Sequence, residues 1–330
     1  MTEEFDFEID RIASTIIGRK ANRVILQFPE GLKRQAAGVA LSLSRNTEAQ
    51  IIVHGEPCFG ACDVPKSRTD LIVQFGHLPI PSLDTPNSMM FIQARSSADP
   101  IPVLERAYGL LPSKVGLLTT AQHIHMIVPM VEFLKSKGKD VLVGKGDGRL
   151  FAEGQVLGCN ASCARSIAKK VDAFVYVGTG DFHPLAISLA VPNQVLAADP
   201  ISNEIKDMAE TRDRLLRQRH GAIERARDAR RFGILLSEKP GQRREKLAEY
   251  SHRILAQEGR EAVIVEMDLV TPVKLTSLGL DAWVSTACPR VALDDSGAFD
   301  VPVLTPVELE ILLKKRQWED YSMDEILESQ

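Results

Sequence analysis

The feature that most restricts the fold of this chain is a pattern that occurs three times. An apolar run, a helical stretch and a second apolar run follow one another at Arg23–Phe28, Leu32–Ser44 and Ala49–Val53. The same order returns at Val115–Thr120, Ile127–Lys137 and Asp140–Val143, and again at Phe232–Leu236, Gln242–Gln257 and Ala262–Val265. A further strand-like run closes each set: Leu71–Phe75, Ala173–Val177 and Ala282–Ser285. Repeated strand-helix-strand units imply right-handed crossovers and hence parallel sheets. The expectation is an α/β fold of three homologous domains, with flanking helices, in a pseudo-three-fold triangular arrangement. The boundaries fall at 1–102, 103–200 and 201–330, and a chain of 330 residues is long enough for a core in each.

Three stretches fall outside the repeat. The first ~20 residues read as an amphipathic helix, with Phe5, Ile9, Ile12 and Ile16 at helical spacing. Leu78–Pro102, with five prolines around one short strand, reads as a connector. Glu204–Arg231 reads as one charged helix whose arginines form a solvated face, and the acidic tail from Trp318 as a last helix or a flap.

A net charge of −4 provides no basic excess for nucleic acid. No apolar run reaches the ~20 residues that span a bilayer, and the acidic start lacks the features of a signal peptide. A cytoplasmic protein is therefore expected, without nucleic-acid or membrane partners. In that reducing setting five cysteines point to metal binding, catalysis or plain packing, and not to disulfides.

The cysteines fall in three patches. Cys58 and Cys62 follow the run ending at Val53, Cys159 and Cys163 repeat the Cys-x-x-x-Cys spacing, and Cys288 follows Ser285. Ligands of open α/β sheets bind beyond the carboxyl ends of the strands, so facing domains would bring three thiolates together. Three thiolates suit an iron-sulfur cluster with one iron left open. Zinc remains a rival, although ligands about a hundred residues apart are unusual for it. Buried, unreactive cysteines are the third reading.

Eight pieces in order carry a resemblance: Leu26-Gln-Phe-Pro-Glu-Gly-Leu32, Phe59-Gly-Ala-Cys-Asp63, Phe75-Gly-His77, Thr119-Thr-Ala-Gln-His-Ile-His125, Gly154-Gln-Val-Leu-Gly-Cys159, Tyr176-Val-Gly-Thr-Gly-Asp-Phe-His183, Thr286-Ala-Cys-Pro-Arg-Val-Ala292 and Pro302-Val-Leu-Thr-Pro-Val-Glu308. As an ordered set they resemble archaeal diphthamide synthase, the 3-amino-3-carboxypropyl transferase acting on translation elongation factor 2. The resemblance implies a 4Fe-4S cluster held by Cys62, Cys159 and Cys288, with Cys58 and Cys163 as neighbours. It also implies S-adenosylmethionine as co-substrate, one-electron cleavage of its Cγ–S bond, a homodimer and an external electron donor. The rivals are a quinolinate synthase-like three-domain cluster enzyme and a non-catalytic iron-sulfur partner subunit.

Other candidates sit at strand-to-helix turns, where ligand groups are expected. They are Gln27, Pro29 and Glu30 in the first domain, Thr119, Thr120, Gln122 and His123 in the second, and Ser237, Lys239 and Gln242 in the third. Gly178 and Gly180 would let the backbone approach the co-substrate closely, while Asp181 and His183 would hold its amino or carboxylate group. Arg290 would pair with that carboxylate or with the cluster's charge. His77 and His125 read as structural histidines.

Overall fold

The computed structural model describes residues 5–66, 69–293 and 295–327. It contains three sheets with the same parallel core. The first runs Gln50–Val53, Arg23–Gln27, Leu71–Phe75, Met89–Ile92 across its width, and the third runs Glu261–Met267, Arg231–Ser237, Ala282–Ser285, Val303–Leu304. The second runs Asp140–Leu142, Lys114–Thr119, Ala173–Val177, Gln194–Asp199 and then adds Glu204–Asp207 at its edge. By order within each sheet, the strands lie 2-1-3-4 from one edge. The point where chain direction across the sheet reverses lies between strands 1 and 2 on one side and 3 on the other, and its open end is where such sheets bind ligands.

Burial follows from this layering. Leu71–Phe75 and Ala173–Val177 are buried at every position, as central parallel strands covered on both faces must be. The internal repeat is visible in side-chain packing. A Cβ on Gly116 would meet the Phe174 ring at 2.4 Å, and one on Gly233 would meet the Trp283 indole at 2.2 Å. Each is a first-strand glycine beneath a third-strand aromatic paired with it in register.

The amphipathic helix is present at Ile9–Arg19, with Ile12 and Ile16 in the core; residues 1–4 lie outside the described residues. Three expectations are corrected. Met89–Ile92 is no mere connector segment: it is the fourth strand of the first sheet, paired in parallel with Leu71–Phe75. Glu204–Arg231 is not one helix. Glu204–Asp207 turns back antiparallel to Gln194–Asp199, so the second sheet continues past residue 200, and the helix is Ala209–Arg225. Nor are all its arginines solvated, since Arg219 is 1% exposed and bonds Glu308 Oε1 at 2.8 Å and Oε2 at 2.5 Å. The tail forms a short turn at Trp318–Asp320 and then an extended segment in which Met323, Asp324, Glu325 and Ile326 are buried. Among the described residues no helix is long and apolar enough to cross a membrane.

Candidate metal centre

Loops from all three sheets line one cavity of about 420 Å³, and Cys62, Cys159 and Cys288 all lie on its wall. Cys62 sits between the second and third strands of the first sheet. Its loop closes through Asp63 N to Gly60 O at 3.0 Å. Two buried amides on neighbouring strands, Gln27 and Gln74, donate to the Asp63 carbonyl at 3.1 and 3.0 Å, which fixes the backbone beside the thiol. The Gln242 amide donates to Cys62 Sγ at 3.3 Å. Behind it, a Cβ on Gly241 would meet Cys62 Cβ at 2.4 Å, so the third sheet's loop is packed hard against the first sheet's cysteine.

Cys159 holds the corresponding loop of the second sheet, pinched by reciprocal backbone bonds between Leu157 and Asn160 at 3.1 and 3.0 Å. Cys288 differs in origin: it follows the third strand, immediately before the helix Pro289–Leu293. The other two cysteines part company. Cys58 lines the cavity as well, whereas Cys163 is fully buried on the helix Ser162–Ile167 with its thiol 2.9 Å from Gln155 O.

The electrostatics tie the three candidate ligands together. Burial raises Cys62, and it pushes Cys159 up to about 11 with the Cys62 charge as the next cause. Burial raises Cys288 too, followed by the charges of Cys159 and Cys62. Opposing them, Arg149 favours the thiolate at both Cys62 and Cys159. Arg149 is 7% exposed, donates to Gly241 O at 3.1 Å, and keeps a buried Nε without a partner. Lys239 is buried between Asp63 at 3.3 Å and Asp268 at 2.7 Å, bonding the first and third sheets beside Cys62. A cation bound by the thiolates would reverse their preference for the proton, because coordination needs the deprotonated form.

The donor set fits an iron-sulfur cluster. Among the described residues no three His, Cys, Asp or Glu side chains are close enough to share one metal ion, and the thiols surround a cavity. A cluster spreads its protein ligands over different irons, which matches thiols arranged around a space.

The remaining candidates divide between wall and support. Pro29, Glu30, Thr120, Gln122, His183 and Arg290 line the cavity. Gln122 also donates to Gly76 O at 2.5 Å, joining second and first sheets. Burial lowers His183 to about 4, so it is neutral, and Arg290 lies 4.4 Å above the Phe182 ring beside it. Gln27 and Thr119 are behind the wall, their polar atoms spent on Asp63 O and on Val177 O at 2.6 Å. Gly178, Gly180 and Asp181 are not on the wall: Gly178 makes room for the Tyr176 hydroxyl and Asp181 pairs with Lys206. Gln242 contacts the Cys62 sulfur instead of open space, and with Ser237 and Lys239 it lines a smaller adjoining cavity of about 70 Å³. Sequence reading missed Arg149 and assigned His77 a structural role, although His77 lies on the wall with a buried, unpartnered Nδ1. Only the third dimension reveals either.

The fold and site define a class: α/β proteins of three mostly parallel sheets whose loops bring cysteines from all three to a shared cavity. Comparison then supplies the family. Residues 28–322 match the family described as "Putative diphthamide synthesis protein". The chain is 39% identical over 318 residues to the 2-(3-amino-3-carboxypropyl)histidine synthase of Pyrococcus horikoshii, covering 93% of this chain and 90% of that one. It is 29% identical to subunit 1 of the Homo sapiens enzyme of that name, over 98% of this chain and 76% of the human one. The crystal structure of Dph2 from Pyrococcus horikoshii with a 4Fe-4S cluster superposes with a TM-score of 0.89 at 36% identity, over 98% of this chain and 94% of that chain. The chain belongs to the diphthamide synthesis family, and it is an enzyme of the transferase class.

Proposed function

We propose that this chain transfers the 3-amino-3-carboxypropyl group of S-adenosylmethionine to C2 of a histidine on translation elongation factor 2, the first step of diphthamide biosynthesis. The observation that carries the reading is the meeting of Cys62, Cys159 and Cys288, one from each sheet, on one cavity wall. Each sheet with its helices is taken as one of three domains around that cavity. A 4Fe-4S cluster bound by the three thiolates leaves one iron free to chelate the methionine part and supplies the electron that opens the sulfonium's Cγ–S bond, releasing a carboxypropyl radical.

The residues of the chain do the remainder. Gln242 and the Gly241 backbone hold Cys62, and Arg149 offsets thiolate charge from behind. Arg290 offers a planar cation for the carboxylate of the co-substrate, and neutral His183 and His77 offer uncharged polar contacts on the wall. Burial lowers His77 to about 4 as well, so neither ring adds positive charge beside a sulfonium. The acceptor histidine comes from the protein substrate; restoring its aromatic ring after radical addition requires loss of a proton to solvent and of one electron, which the oxidised cluster would take back. A homodimer, an external one-electron donor and a cytoplasmic setting complete the proposal.

The test is anaerobic. The chain is reconstituted with iron and sulfide, reduced, and mixed with S-adenosylmethionine. Formation of 5'-methylthioadenosine and labelled transfer to elongation factor 2 are expected. A chain loaded with iron and sulfide that yields no 5'-methylthioadenosine would sink the proposal.

A further inference from the structure

The tail beyond Trp318 makes contacts at two of the three candidate ligands. Ile326 N donates to the carbonyl of Cys159 itself at 2.8 Å, and Asn160 Nδ2 donates back to Ile326 O at 3.1 Å. Glu325 Oε1 accepts from Ala161 N at 2.7 Å, while its other oxygen pairs with Arg165. The strap thus covers the backbone on both sides of Asn160. Its second grip runs through Arg244. Asp324 takes both terminal nitrogens of that guanidinium at 2.7 Å, leaving Nε and Nη2 to donate to the carbonyls of Thr286 and Ala287 at 2.8 Å each. Those carbonyls belong to the two residues before Cys288. Asp324, Glu325 and Arg244 are all buried, so these charges were withdrawn from water to make these bonds. The family match ends at residue 322, short of every strap residue in this network.

We propose that Asp324 and Glu325 are positioning residues for the metal centre: the strap sets the spacing between Cys159 and Cys288, which come from different sheets and share no other direct tie of this kind in the bonds described. The inference rests on the cluster reading above. A loop ligand is only as well placed as the groups that hold its backbone, and loss of such outer support lowers metal affinity without removing a ligand.

The test compares wild type, Asp324→Asn, Glu325→Gln and, as a stability control, Leu43→Ala, which opens a cavity in the first sheet's outer layer. Each chain is titrated anaerobically with ferrous iron and sulfide; iron per chain and the EPR spectrum of the reduced sample are read. Half-loading is expected to need about tenfold more iron in both strap variants, with an altered spectrum. Leu43→Ala melts lower and loads as wild type. Wild-type loading and spectrum in the strap variants overturn the inference, as does equal loss in Leu43→Ala. Should Asp324→Asn not fold, Glu325→Gln decides, since it keeps the Arg244 pair. A folded wild-type chain that takes up no iron overturns the cluster reading instead, and the inference with it.

Discussion

Two regions carry the same spacing and do different things with it. Cys58 and Cys62 both face the cavity from an irregular loop, while of Cys159 and Cys163 only the first does. The difference is the helix Ser162–Ile167, which carries Cys163 inward among Ala161, Ala164 and Ile167. Among the described residues no helix starts within the first loop, where Gln27 and Gln74 hold the chain by its Asp63 carbonyl. Cysteine spacing therefore reports proximity along the chain, and local backbone geometry decides which sulfur is available.

The largest break in this comparison comes from the candidate ligands themselves. Cys62→Ser or Cys159→Ser should reduce iron per reconstituted chain to background, whereas Cys163→Ser should keep full loading, as iron and sulfide assays would show. Next is Gly241→Ala, whose methyl group would press on Cys62 from the third sheet. It removes no ligand, and the expected loss of iron affinity is about tenfold. Cys163→Ser should instead cost stability, about 1 kcal/mol by denaturant unfolding of the metal-free chain.

The same residue sharpens the contrast through pH. Burial raises Cys163 from 9.0 to about 12. The folded chain keeps that proton where the unfolded chain loses it, so the contribution is complete below pH 9 and is lost as pH rises towards 12. The slope is about 1.4 kcal/mol per pH unit for one group. Metal-free Cys163→Ser should therefore lose less stability than wild type between pH 9 and 11, which unfolding curves at several pH values would detect. The smallest effect is expected of Cys58→Ser. It lines the cavity without belonging to the proposed ligand set, so iron loading should stay within about twofold of wild type.

Much of the fold was legible because it is written in local periodicity. Leu71–Phe75, Ala173–Val177 and Ala282–Ser285 appear in the structure with the bounds their apolar runs suggest, since strands buried on both faces read as nearly continuous apolar runs, with Gln74 and Ser285 the buried polar exceptions. Glu204–Asp207 was not legible: four residues with one apolar side chain, Ile205, among three charged ones are too few to tell a strand from the start of a charged helix, and pairing with Gln194–Asp199 decides it. At the site, the ordered motifs marked Cys62, Cys159 and Cys288, and position after a strand marked Thr120, Gln122 and His183. They could not separate Gln122, on the wall, from Gln27, whose amide is consumed in holding Asp63.

The amino-acid sequence by itself determined three α/β repeats and placed a cysteine after a strand in each, because strand, helix and turn preferences act over a few residues. Tertiary structure alone decided that Cys163 would be core, that Arg149 would stand behind two thiols, and that Asp324 and Glu325 would reach back to the loops of Cys288 and Cys159. Those contacts join residues up to 164 positions apart, and no local preference encodes a distance of that kind.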